Sequence, residues 1–247
     1  MKLKRPNLAK YLLTCFSLAL PALFSSAAIK NREKINLSKN QYVRIPAALD
    51  LYQALSLDSL GLSRQAFEDA VTGYLNLLKT GTIQSKGILS IVDFSIPSFR
   101  KRLFVLDVEN GKLLFNTLVA HGRNSGQILA TRFSNQARSL KSSLGFYLTG
   151  ETYTGKKGLA LRLMGIERGI NDNAFNRGIV VHAAPYVNDE ISKVYGRLGR
   201  SEGCPAIPVD IHRPVIEAIK NGSCFFIYGN DKRYMSQSKL LKEAGLS

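Results

Sequence analysis

Polar and apolar positions divide the chain into stretches of different period. Residues 29–45 are polar and basic without an apolar stripe, which reads as a linker. Pro46 to Leu60 and Ser63 to Lys79 then predict two helices. In the second, Phe67, Ala70, Val71, Tyr74, Leu75 and Leu78 recur at spacings of three and four, so one face is apolar. Ser63 is placed to cap its start and Gly81 to stop it. The stripe is read as a packing face against the domain downstream of it. From Gly87 the pattern turns β-rich. Strands are expected over Ile88–Ile96, Arg102–Val108, Lys112–Ala120, Leu144–Thr149, Ala160–Met164, Ile179–His182 and Ser223–Tyr228. Asn110-Gly111 between the second and third is a hairpin signal. Asp210–Asn221 predicts a helix stopped by Gly222. With so few helices between strands, the fold class is mainly β, a mostly antiparallel sheet or barrel-like sandwich with a small helical segment before it.

The first 28 residues follow a different logic. Lys2, Lys4, Arg5 and Lys10 precede an apolar run from Tyr11 to Phe24, and Ser25-Ser26-Ala27-Ala28 supplies small residues. This is the layout of a secretory signal, cleaved after Ala27 or Ala28. The run is too short for the roughly 20 apolar residues that span a bilayer, which disfavours an uncleaved anchor. Cys15 lies inside the run and not after it, which disfavours a lipoprotein. The expected division is therefore 1–28 signal peptide, 29–86 linker and helical segment, 87–230 β-rich domain and 231–247 tail. The protein is expected to be exported to the periplasm or cell envelope and to meet the membrane only through the transient signal.

Charge sharpens this slightly. The formal net charge is +16, and removing residues 1–28 takes four positive charges and leaves +12. An exported basic protein suits an anionic partner such as a wall polymer, and export argues against nucleic acid. The same charge could serve solubility alone.

Reactive chemistry is short enough to enumerate: three Cys and three His. Cys15 leaves with the signal. Cys224 sits in the apolar run Ser223-Cys224-Phe225-Phe226-Ile227-Tyr228, where a thiol behaves as a small hydrophobe. Cys204 sits in Gly199-Arg200-Ser201-Glu202-Gly203-Cys204-Pro205, polar and turn-rich. Gly203 permits a tight turn, and backbone N–H groups beside a nucleophile can form an oxyanion hole. A thiol needs a neighbouring base to act as a nucleophile near neutrality. His182 ends the strand Ile179-Val180-Val181-His182, 22 residues before the Gly-Cys turn, and is the candidate. His121 and His212 are read as structural.

The run Val181-His182, a loop, and Arg200-Ser201-Glu202-Gly203-Cys204 resembles the signature of YkuD-type L,D-transpeptidases. The hairpin around Asn110-Gly111 and the segment Ser142-Ser143-Leu144-Gly145-Phe146-Tyr147 extend the likeness to about residues 88–229. It is similar above all to the murein L,D-transpeptidase catalytic domain. The resemblance implies an L,D-transpeptidase-like mixed β-sandwich or barrel acting on peptidoglycan stem peptides as transpeptidase or carboxypeptidase. It implies a Cys204 acyl-enzyme, His182 as base, Gly203 in the catalytic turn, and Ala183 acting through a backbone carbonyl that orients the imidazole. Ser201 and Arg200 are placed with the substrate, Arg197 and Arg213 being other sources of a cation for a stem carboxylate. Carbapenem acylation at Cys204 is also implied. No cofactor and no metal is called for. Two positions depart from the family pattern: Glu202 where His is common, and Ala206 where Arg or Asn is common.

Two rivals remain. His182, Asp189 and His212 could ligate zinc in a wall peptidase. Alternatively, a non-enzymatic basic envelope-binding protein could carry a Cys204–Cys224 disulfide, which export would permit. A sortase lacks its Thr-Leu-x-Thr-Cys strand here, and an NlpC-type peptidase has the opposite order of Cys and His.

Overall fold

The computed structural model describes residues 45–85, 87–155 and 158–242, and the signal segment and most of the linker lie outside them. Helices α1 (Ile45–Ala54) and α2 (Arg64–Lys79) come first, then strands β1 (Ile88–Asp93), β2 (Leu103–Asp107), β3 (Lys112–Thr117), β4 (Gly145–Gly155), β5 (Gly158–Gly165) and β6 (Val180–Ala183). Helix α3 (Asp189–Tyr195), strand β7 (Ala206–Ile207), helix α4 (His212–Ile219), strand β8 (Cys224–Tyr228) and helix α5 (Lys232–Gln237) complete the chain. Among the described residues no helix is long and apolar enough to cross a membrane.

The eight strands form one sheet in the order β3-β2-β1-β8-β4-β5-β6-β7. Only β1–β8 and β6–β7 pair in parallel. The chain beyond β3 curls round to the opposite edge, where Ala120 N–H donates to Ala206 O at 2.8 Å. That bridge nearly closes the sheet into a barrel and covers its otherwise open edge. The architecture is the mainly β barrel expected from the pattern. Strand β7 was not foreseen, because two residues carry no periodicity of their own.

Helix α2 begins where Ser63 Oγ accepts from Ala66 N–H at 3.1 Å, and Gly81 turns the chain away with φ +70°. Its buried face is Ala66, Phe67, Ala70, Val71, Gly73, Tyr74 and Leu77. Leu77 takes the deep position expected of Leu78, which is only partly buried. The face packs on β1 and β8, so the helical segment and the sheet share one core. Burying a large apolar side chain contributes about 1.5–3 kcal/mol, and this face supplies several. Residues 231–242, expected as a tail, pack onto the same body. Tyr234 is buried, and Tyr234 and Ser238 both donate to the buried carboxylate of Glu167. Asn76 Nδ2 also donates to Leu240 O at 2.9 Å, tying this segment to α2.

Gly73 is the tightest point of that packing. A Cβ there would stand 2.0 Å from the tip of the Phe146 ring, which is itself stacked on Phe226 at 4.2 Å. Alanine would gain roughly 1 kcal/mol of helix propensity and incur about 1–3 kcal/mol of overpacking. Gly73→Ala should therefore lower the urea midpoint, and Phe146→Leu added to it should recover part of the loss. A higher midpoint for Gly73→Ala alone would show that α2 can lift off the sheet without cost.

Candidate active site

The site lies where β6 runs between β5 and β7. Ala160 of β5 faces His182, and His182 faces Ala206. Tyr153 of β4 faces Ala160 in turn. Directly opposed residues share a sheet face, so Tyr153, Ala160 and His182 form one row. Ala160, the small member, leaves an open cleft of about 190 Å³ between them, lined also by Gly155, Gly158, Val180, Glu202 and Cys204. The structure thus brings Cys204 and His182 to one cavity.

His182 is 5% exposed. Its Nδ1 lies 2.8 Å from the Ala183 carbonyl oxygen. A carbonyl only accepts, so Nδ1 carries the hydrogen and Nε2 is left as the basic nitrogen of the neutral ring. The backbone of Ala183 thereby sets both the tautomer and the ring plane.

Cys204 is partly exposed in the turn that enters β7, and its Sγ lies 3.6 Å from Gly178 O. The turn is held from inside. Ser201 Oγ donates to Cys204 O at 2.6 Å and accepts from Gly203 N–H at 3.1 Å. Buried Ser142 donates to Gly203 O at 3.1 Å and accepts from Gly122 N–H at 3.0 Å. Gly203 has φ +131°, and a Cβ there would stand 2.9 Å from Lys141 O. Only glycine meets both conditions.

These contacts show what each neighbour of Cys204 is bonded to. The N–H of Gly203 is committed to Ser201, so Gly203 shapes the turn and does not offer an oxyanion donor. Ser201 braces the turn and does not line the cleft. Arg200 does not line it either: its Nη1 donates to Arg123 O at 3.0 Å and Gly126 O at 3.1 Å, fastening a neighbouring loop. Arg197 binds Leu198 O, and neither it nor Arg213 reaches the cleft wall. Glu202 does line the cleft, exposed and 3.6 Å from Arg123. Burial, followed by the charges of Cys204 and Glu202, pushes the Tyr186 hydroxyl up to about 12. Tyr153 was missed, since the cross-strand row that aligns it with His182 is a property of register.

Cys224 is buried in β8, where desolvation pushes its thiol far up, and it is not joined to Cys204. The disulfide of the non-enzymatic rival is therefore not formed. Among the described residues no three His, Cys, Asp or Glu side chains converge as metal ligands, so the zinc set of His182, Asp189 and His212 is not assembled. His212 Nδ1 lies 2.6 Å from Val209 O at the start of α4.

Comparison with known proteins identifies the family. Residues 58–228 match YkuD_2, the L,D-transpeptidase catalytic domain. The chain belongs to that L,D-transpeptidase family. No curated protein matches the chain. Among solved structures, an L,D-transpeptidase from Mycobacterium smegmatis is 15% identical, covering 58% of this chain and 59% of that one at TM-score 0.36. An L,D-transpeptidase in complex with imipenem, LdtMt1, is 15% identical over 57% of this chain and 59% of that one, also at 0.36. An L,D-transpeptidase from Stackebrandtia nassauensis is 16% identical over 75% and 78% at 0.36. The chain thus spans about three-fifths of the first two. Within the L,D-transpeptidase domain the match begins at residue 58, ahead of α2, consistent with the shared core.

His121 supports the site from behind. Its backbone oxygen accepts from Ser201 N–H at 2.9 Å. The guanidinium of fully buried Arg102 approaches His121 Nδ1 at 2.8 Å and can only donate. Nδ1 therefore accepts, and Nε2–H faces Gly126 O at 3.3 Å. Burial first, and the Arg102 charge second, lower the His121 pKa to about 4. The unfolded chain takes up this proton near pH 6.5 and the folded chain only near 4. Stability is therefore lost as pH falls through that window, by about 2 kcal/mol at pH 4.5. Urea unfolding at pH 7 and 4.5 should show His121→Gln losing about that much less than the wild type. Equal losses in both would rule out His121 as the acid-sensitive group.

Proposed function

We propose that the protein is an exported L,D-transpeptidase that acts on peptidoglycan stem peptides through a thioester on Cys204, with His182 as its base. The carrying observation is the meeting of Cys204 and His182 in one open cleft, with Nδ1 of the histidine turned to Ala183 O. Family membership supports the substrate class, and the layout of residues 1–28 supports export.

The chemistry follows from the groups present. His182 Nε2 takes the thiol proton, and the Cys204 sulfur attacks the carbonyl carbon of the bond before the terminal D-Ala. Collapse of the tetrahedral intermediate breaks the C–N bond, and the imidazolium returns its proton to the departing D-Ala amine. An acceptor amine on another stem then attacks the thioester, loses its proton to His182 and releases the thiol. Water in place of the amine makes the same site a carboxypeptidase. A β-lactam carbonyl is attacked in the same way, and its ring opening leaves a carbapenem bound on Cys204.

Incubation of the mature protein with disaccharide-tetrapeptides, read by mass spectrometry, tests this. Loss of D-Ala, exchange of D-amino acids and dimer formation separate the hydrolytic, exchange and cross-linking outcomes. Cys204→Ala should abolish all three and the carbapenem adduct, whereas Cys224→Ala should only loosen the core. His182→Ala should slow turnover about 10²–10⁴-fold or more. Turnover retained in Cys204→Ala would sink the assignment.

The floor of the cleft makes a separate claim. Ala160→Leu adds a side chain between Tyr153 and His182, in the space the stem peptide is proposed to use. It should raise KM or abolish turnover of the tetrapeptide while iodoacetamide still alkylates Cys204 at the wild-type rate. Unchanged turnover in a folded Ala160→Leu protein would place the peptide elsewhere.

A further inference from the structure

One cation near the nucleophile has no part in the dyad. Arg177 lies in the turn before β6, and its guanidinium is fixed by four neutral acceptors. Nη1 donates to Ser134 O at 2.7 Å and Ser143 Oγ at 2.9 Å. Nη2 donates to Lys141 O at 2.6 Å and Ser139 Oγ at 3.4 Å. Among the described residues no carboxylate pairs with it. Such a cage holds a charge in place without neutralising it, and Arg keeps that charge at any physiological pH.

The cage stands directly behind the Cys204 turn. Nη2 is 3.3 Å from where a Cβ on Gly203 would be, and Lys141 O, which Nη2 binds, is 2.9 Å from the same point. The next residue, Gly178, presents its carbonyl to the Cys204 sulfur at 3.6 Å. The glycine that permits the turn therefore also permits the close approach of the guanidinium.

We propose that Arg177 is a positioning residue for the nucleophile, a buttressed positive charge that seats the Gly203–Cys204 turn and favours the thiolate over the thiol. The proposal rests on Cys204 being the reactive cysteine, as argued above. Coulombic coupling between Arg177 and Cys204 agrees with it, although burial is the larger influence on Arg177. The other ionisable groups around the sulfur are His182 from β6, Glu202 from the turn itself, Tyr153 from β4 and Tyr186 ahead of α3. Tyr147 of β4 also acts electrostatically on Arg177, and Arg123 is engaged by Glu202. Arg177 is thus the fixed cation of the set, and His182 is the one that moves a proton. An opposite charge a few ångströms from a titrating group typically moves its pKa by one unit or more.

The test is the pH profile of iodoacetamide alkylation at Cys204, located by peptide mass mapping. This reads the thiol and not turnover, so a failed peptidoglycan reading leaves it interpretable. Arg177→Gln should move the Cys204 midpoint up by about one pH unit, and Arg177→Lys should keep most of the wild-type midpoint even where it lowers thermal stability. A purely structural arginine would leave the midpoint of folded Arg177→Gln in place, and that result overturns the proposal. If Arg177→Gln does not fold, His182→Ala decides. With the imidazole gone, the remaining cation should keep the midpoint below the ordinary ~8.5 of a thiol. A midpoint at or above that value in His182→Ala overturns the proposal equally.

Discussion

His182 faces Ala206, and Ala206 faces Ala120, so β6, the two-residue β7 and the segment after β3 meet side by side. Strand β7 is too short to hold itself in place. It is held by β6 on one side and by the returning segment after β3 on the other. A one-residue slip of β7 against either neighbour would turn its side chains to the opposite face and draw Cys204 away from His182. The near closure of the barrel and the construction of the site are therefore the same event. What stabilises the sheet edge also brings Cys204 and His182 to the same cleft.

The Cys204 turn repeats this economy with hydrogen bonds. Ser201, Ser142 and Ser125 form a buried relay in which each hydroxyl answers a backbone group: Ser125 Oγ accepts from Ser142 N–H, Ser142 Oγ reaches Gly203 O, and Ser201 Oγ reaches Cys204 O. Buried polar groups left unpaired would each cost about 1–3 kcal/mol, so the relay is satisfied throughout or the turn does not form. Gly203 is the joint that makes it possible, since any side chain would strike Lys141 O. The Cys204 sulfur sits on this base, partly exposed and lining the cleft.

The electrostatics divide into two layers. Behind the turn lie two cations that form no ion pair among the described residues, fully buried Arg102 on His121 and half-buried Arg177 in its cage of carbonyls and hydroxyls. Desolvation lowers the pKa of both, Arg102 to about 9. At the cleft mouth lie exposed charges, Glu202 with Arg123, whose interaction solvent largely screens. The inner layer lies behind the Cys204 turn, and the outer layer lines the open side of the cleft.

Local pattern alone identified much of this molecule. The 3.6-residue stripe of α2, the Ser63 cap, the Asn110-Gly111 hairpin and seven of the strands are written in neighbouring residues, because helix periodicity, capping and turn conformation are short-range properties. The contrast between Cys204 in a Gly-Pro turn and Cys224 in an apolar run was equally local. The roles of Ser201, Arg200, Arg177 and Tyr153 were not. Ser201 and Arg200 stand beside the cysteine in sequence, yet their side chains turn inward to backbone oxygens, whereas Arg177 and Tyr153 arrive from 27 and 51 residues away. Which of several arginines approaches a sulfur, and which tyrosine shares a row with a histidine, depends on strand register and barrel closure. Those are fixed by packing the whole core at once, and no single segment carries the information.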